Sequence, residues 1–200
     1  MRAFLTKLLF KLPKSLLIKW SGREQIQKDY RKFDPGFQYL LKLMEDSGTK
    51  LDYTKSAAEM RKEFDEGRTL ISSSLPSGVK TTDHIIESKG AEIKIREYAP
   101  DSIGNIYPAL VYYHGGGWVL GRSDTHEAVT GFVAKELKAK IFSVEYRLAP
   151  EHKFPIPLED CEAAFNWVKD NSSDLGINPN RVSIGGDSAG GNLAASLCVK

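Results

Sequence analysis

The sequence predicts an α/β fold, a mostly parallel sheet covered by helices on both faces, preceded by a helical segment. Two observations carry the prediction. From about Thr81 onward, short apolar runs alternate with stretches of helical period. Before about Leu75 only helical patterns occur, and glycine clusters punctuate two of the later runs where a strand hands over to a loop or a helix. A chain of 200 residues is long enough for one domain with its own core, here divided into a helical segment over 1–75 and a sheet-bearing core over 76–200.

The first twenty residues hold Arg2, Lys7, Lys11, Lys14 and Lys19 and no acid, with Leu5, Leu8, Leu9 and Leu12 at helical spacing. Lysines interrupt the apolar run, which excludes a membrane span and argues against a secretory leader. Two readings stay open: a basic amphipathic helix on an anionic membrane surface, and a helix packed on the protein itself and interrupted near Pro13. Asp34-Pro35 supplies an N-cap followed by proline at the first helical position. Phe37, Leu40, Leu41 and Met44 then share one face, with Gly48 as terminator. Ser56 and Glu59 form a capping box for the next helix, with Ala57, Met60 and Phe64 inward and Gly67 at its end.

The period then changes. Ile93, Ile95 and Glu97 alternate with Glu92, Lys94 and Arg96, which suits a two-faced strand, and Ile85-Ile86 belongs to its hairpin partner. Asp101 to Asn105 reads as a turn. Ala109 to Tyr113 is a buried strand leading into His114-Gly115-Gly116-Gly117-Trp118. A helix follows from Asp124 to Lys138, with Val129, Phe132, Val133 and Leu137 inward. Ile141 to Val144 is a second buried strand. Leu158, Cys161, Ala164, Phe165 and Val168 line one face of a helix. Val182 to Ile184 forms a third buried strand, and Ala189 begins a helix directly after it. Both cysteines, Cys161 and Cys198, sit in apolar helical patterns and read as buried thiols. No Cys/His cluster has metal-ligand spacing, so no metal or organic cofactor is expected. A net charge of +2 gives no sign of nucleic-acid binding.

The chemistry lies in two glycine motifs. Gly186-Asp187-Ser188-Ala189-Gly190 has the form of a nucleophile elbow, a serine on a sharp strand-to-helix turn with small residues two positions either side. Attack on an ester carbonyl builds charge on its oxygen, so fixed N–H donors are needed beside the serine. Glycines at a strand end let backbone N–H groups approach a substrate. The predicted donors are the N–H groups of Gly116, Gly117 and Ala189. Gly115 shapes the turn, His114 orders the loop rather than serving as base, and Trp118 is either a pocket wall or a core residue. Asp187 points away from the hydroxyl and is structural. The bland alternatives are a serine turn and a flexible glycine loop that bind nothing.

Together with Tyr146-Arg147-Leu148-Ala149-Pro150-Glu151-His152 and Gly185 to Asn192, His114 to Trp118 resembles the hormone-sensitive-lipase-like esterases, which are α/β-hydrolases. The resemblance runs from about Asp34 to the end. It implies that Ser188 is the nucleophile toward a small, short-chain carboxylic ester, and that the segment before Leu75 is a cap over the site. It implies Arg147 and Glu151 as structural ion-pair residues, and a triad Asp and His that follow the serine. No Asp, Glu or His follows Ser188 in these 200 residues. The expectation is therefore the N-terminal part of such an enzyme, with an incomplete sheet and little activity by itself. The remaining histidines, His84 (read as surface), His126 and His152, do not occupy the place of the base. A non-catalytic small-ligand receptor on the same fold is the alternative. A cytoplasmic location is expected, with membrane contact through residues 1–20 and homo-oligomer formation left open.

Overall fold

The computed structural model describes residues 11–46, 54–71, 74–101, 104 and 106–200. Leu5, Leu8, Leu9 and Gly48 lie outside them, as do parts of the Asp101–Asn105 turn. The described chain forms two compact units: one drawn from residues up to Ser56 plus Thr69–Ile71, the other from Ala57–Arg68 and Ser72–Lys200. No helix among the described residues is long and apolar enough to cross a membrane.

In the first unit, α1 (Lys14–Trp20) starts directly after Pro13, and a two-residue hairpin, β1 (Gln27–Lys28) and β2 (Arg31–Lys32), leads to α2 (Pro35–Asp46). Asp34 caps α2 as its sequence predicts, its Oδ1 accepting from the Gly36 N–H at 2.8 Å. Phe37, Leu41 and Met44 are exposed; the buried side chains of α2 are Pro35 and Gln38. The Gln38 amide donates to Ser21 Oγ at 2.7 Å and accepts from the Ile26 N–H at 2.9 Å, so a satisfied polar network fixes this corner.

The second unit is built on a five-stranded sheet in the order β3-β4-β6-β5-β7. β3 (Val79–Ser88) and β4 (Ala91–Pro100) form the antiparallel hairpin that the Ile85-Ile86 and Ile93/Ile95 patterns predict. β4 also pairs antiparallel with β6 (Lys140–Glu145), whereas β5 (Tyr107–Tyr113) runs parallel to both β6 and β7 (Ile177–Gly186). One face packs Ile95, Val111, Phe142 and Val144 against Cys161, Ala164 and Val168 of α5 (Ile156–Asp170) and Leu193 and Ala194 of α6 (Ala189–Cys198). The other packs Tyr98 and Ile141 against Ala134 of α4 (Ser123–Leu137). Both faces are thus covered, as the alternation of strands and helices requires.

Five details correct the reading from sequence. α3 (Ala57–Ile71) starts just after Ser56 but runs through Gly67, whose missing Cβ has open space around it. One glycine among good helix formers costs about 1 kcal/mol, too little to end a helix. α4 turns its large side chains outward: Val129, Phe132 and Leu137 are 48, 58 and 66% exposed. Its inward face is small and polar (Thr130, Gly131, Ala134), because the helix lies close to its surroundings. A Cβ on Gly131 would meet Leu75 at 2.7 Å and Pro76 at 2.8 Å. β7 is half-buried rather than buried, since it forms an edge among the described strands. Cys161 is fully buried as expected, but Cys198, at the last turn of α6, is exposed. His84 is not a free surface group; its ring bonds Glu97 at 2.8 Å and lies 5.1 Å from the Trp167 ring.

Candidate active site

β7 ends at Gly186 and α6 begins at Ala189, leaving Asp187 and Ser188 to make the turn. Ser188 is exposed at its tip, with φ +50° and ψ −118°. A side chain in that region is strained, and the turn survives because its neighbours fix it. The Gly190 N–H donates to the Asp187 carbonyl at 2.8 Å and the Asn192 N–H to the Ser188 carbonyl at 3.0 Å. The flanking glycines are required by contact. A Cβ on Gly186 would lie 2.2 Å from the Tyr113 carbonyl oxygen, and one on Gly190 would lie 1.9 Å from the same oxygen and 2.7 Å from that of His114. The elbow therefore rests backbone to backbone on the end of β5, where the glycine loop starts.

That loop is left-handed over three consecutive residues, Gly116 (φ +127°), Gly117 (+62°) and Trp118 (+62°). The N–H groups of Val119 and Leu120 return to the Gly116 carbonyl at 3.2 and 2.8 Å. Among the described residues, the N–H groups of Gly116, Gly117 and Ala189 donate to no protein acceptor.

Asp187 joins elbow to loop. Its Oδ1 accepts from the buried Gly115 N–H at 2.9 Å and from the Tyr112 hydroxyl at 2.6 Å, and lies 3.5 Å from His126 Nε2. A Cβ on Gly115 would meet Asp187 Oδ2 at 2.2 Å, so this position has no room for a side chain. Burial pushes the Asp187 carboxyl up, but the Tyr112 hydroxyl, His126 and the Gly115 N–H outweigh it and hold it below its ordinary range.

His114 is 1% exposed and lies under the loop. Its ring stacks on Tyr146 at 4.4 Å between centroids and on His126 at 5.6 Å. Nδ1 stands 2.9 Å from the Gly115 carbonyl; a carbonyl only accepts, so Nδ1 carries the hydrogen. Burial lowers the imidazole to about 4, which keeps it neutral at pH 7. The Tyr146 hydroxyl donates to the His114 carbonyl at 2.6 Å.

The loop after β6 is pinned from two sides. Arg147 grips the buried Asp160 with Nε to Oδ2 at 2.9 Å and Nη2 to Oδ1 at 2.7 Å, and Glu151 pairs with Arg61 of α3 at 2.7 Å. Both residues are ion-paired, each to a different partner. Next to this loop lies a mainly apolar cavity of about 330 Å³, lined by Gly117, Trp118, Phe154, Leu158, Asn192 and Leu193 among others. Trp118 is thus a cavity wall, 41% exposed, and not a core residue. The cavity reaches the glycine loop on one side and the first turn after Ser188 on the other. No cluster of three or more His, Cys, Asp or Glu fit to hold a metal occurs among the described residues.

Tyr112 and Arg61 are site residues that sequence reasoning passes over, while Tyr146 enters it only within a motif and His126 only as a rejected base. Tyr112 sits in a strand pattern that reads as core, and Arg61 is one charge among many on a helix. No local pattern marks either of these two, since their partners are distant in the chain.

A sheet covered on both faces, with a strained serine between strand and helix, defines the α/β-hydrolase class of protein. The sequence pattern of the α/β-hydrolase-fold family matches residues 110–200. Within that class the chain is similar, over part of its length, to carboxylic ester hydrolases. LipN, a carboxylic ester hydrolase of Mycobacterium tuberculosis, is 47% identical over 121 residues, 60% of this chain and 32% of LipN. An arylesterase of Saccharolobus solfataricus is 36% identical over 149 residues, covering 73% of this chain and 47% of that protein. The crystallised hyperthermophilic esterase of the archaeon Pyrobaculum calidifontis superposes with a TM-score of 0.73 at 36% identity, over 80% of this chain and 52% of that one. The chain thus spans about half the length, or less, of the relatives it matches.

Proposed function

We propose that the protein is a serine hydrolase of small carboxylic esters. In this reading the Ser188 hydroxyl attacks the ester carbonyl and the alcohol leaves. Water then releases the acid from the acyl-serine. The N–H groups of Gly116, Gly117 and Ala189 receive the charge on the carbonyl oxygen, and the N-terminus of α6 adds its dipole. The observation that carries the reading is the junction of elbow and loop. The Ser188 turn rests on the Tyr113 and His114 carbonyls, where the glycine loop starts, and Asp187 ties the two; three N–H groups of the loop and turn have no protein acceptor among the described residues. The named activities of the matched relatives point the same way.

The 330 Å³ cavity beside Gly117 supplies an apolar seat for part of the ester. A cavity of about 150 Å³ holds a benzene ring, so an aryl group or a short acyl chain fits here. In this reading the proton from Ser188 goes to a histidine base. His114 is neutral, buried and bonded to Gly115, which unfits it for that role.

A fluorophosphonate probe tests the proposal. Ser188 should be labelled, slowly, and Ser188→Ala should abolish labelling. Ester turnover by the 200-residue chain should stay within about 10³–10⁴-fold of the buffer rate, the remnant that a serine site without its base retains. Labelling that persists in Ser188→Ala would remove the assignment.

A further inference from the structure

Gly116 and Gly117 carry no side chain that could anchor them, and both sit at positive φ. Oxyanion donors must nevertheless be held within about 0.5 Å to be effective. The restraint comes from α3. Arg61 Nε donates to the Val119 carbonyl at 2.8 Å, two residues past Gly117. Its Nη2 donates to the Ala149 carbonyl at 2.8 Å, and both terminal nitrogens engage the Glu151 carboxylate, at 2.9 and 2.7 Å. The two loops are also tied directly, the Ala149 N–H donating to the Trp118 carbonyl at 2.8 Å.

We propose that Arg61 is a positioning residue that holds the Gly116-Gly117 loop in register with the serine elbow by clamping Val119 to the Ala149–Glu151 loop. The planar guanidinium suits the task. It satisfies two carbonyls and a carboxylate at fixed angles, and Glu151 orients the fork. A lysine offers one point charge and cannot span the same acceptors. The catalytic consequence rests on the hydrolase reading; the clamp itself does not.

Two readouts on the full 200-residue chain separate these levels. Amide hydrogen exchange at Val119, Leu120 and Ala149 reports the clamp. In Arg61→Met these amides should exchange about tenfold faster or more, while those of β5 and β6 stay as in wild type. Fluorophosphonate labelling of Ser188 should slow by about tenfold to a hundredfold. Arg61→Lys should not restore either, whereas guanidinium ion at low concentration should partly rescue labelling of Arg61→Met and ammonium should not. Glu151→Gln, which keeps Arg61 and its carbonyl bonds, should shift both readouts in the same direction by less; it carries the test if Arg61→Met does not fold. Unchanged exchange at Leu120 and Ala149, or an equal loosening of the whole sheet, would overturn the proposal. If wild-type Ser188 takes no label, the hydrolase reading fails while the exchange data still decide the clamp.

Discussion

Asp187 sits next to the serine in sequence, and its carboxylate accepts from the buried Gly115 N–H and the Tyr112 hydroxyl. Removing its carboxylate takes away the acceptor of the buried Gly115 N–H. Asp187→Ala should therefore destabilise the chain by about 1–3 kcal/mol, a figure reduced for its half-exposed side chain. Asp187→Asn, which keeps an acceptor, should lose less; urea denaturation of the two variants measures the difference. His114 makes stability depend on pH. Burial lowers its folded imidazole from the usual 6.5 to about 4. Between those values the unfolded chain binds the extra proton, so this contribution is complete above pH 6.5 and is lost as pH falls toward 4. The loss is roughly 3 kcal/mol. Unfolding free energies at pH 7 and pH 4.5 should converge less in wild type than in His114→Asn. Equal pH slopes in the two proteins would count against a buried neutral ring.

At the scale of elements, the seam between β5 and the elbow has no tolerance. The Cβ of Gly190→Ala would enter the Tyr113 carbonyl, and neither a strand carbonyl nor the first turn of α6 can retreat without breaking its own hydrogen bonds. The expected cost is about 3 kcal/mol or more, seen as a lower thermal midpoint. Gly67→Ala is the control: it adds a methyl in open space within α3 and should raise the midpoint slightly. The same comparison explains the misread helices. Apolar spacing in α4 marks Val129, Phe132 and Leu137, yet the side that packs is made of Thr130, Gly131 and Ala134. Periodicity weighs hydrophobicity, while close packing selects for small size.

Across the whole molecule, the sheet is covered on both faces and ends in an edge strand on each side. β3 is the edge at one end and β7 at the other, and no described strand lies beyond β7. Exposed Ser183 and half-buried Val182 and Ile184 lie along that edge. An unpaired strand of this length is a template for pairing with another chain. The 200-residue chain should self-associate as its concentration rises, and Ser183→Lys should suppress this in sedimentation velocity. A wild-type chain that stays monomeric would show the edge to be protected.

Period and punctuation in the sequence determined the type and order of the sheet-bearing elements from β3 onward. The strand at Ala109–Tyr113, the helix face of Cys161, Ala164 and Val168, and the serine turn between β7 and α6 are all legible there, because each depends on neighbours within a few residues. Gly186, Gly190, Gly115 and Gly116 are legible for the same reason, since only a side chain of hydrogen fits at those positions. Only the tertiary structure decided what ties these parts together. Asp187 reaches Gly115, Arg61 reaches Val119 and Ala149, and His114 stacks on Tyr146, all across long stretches of chain. Such contacts depend on how β5, β6 and β7 line up in the sheet. A hydrogen bond between residues far apart in the chain leaves no periodic trace at either end.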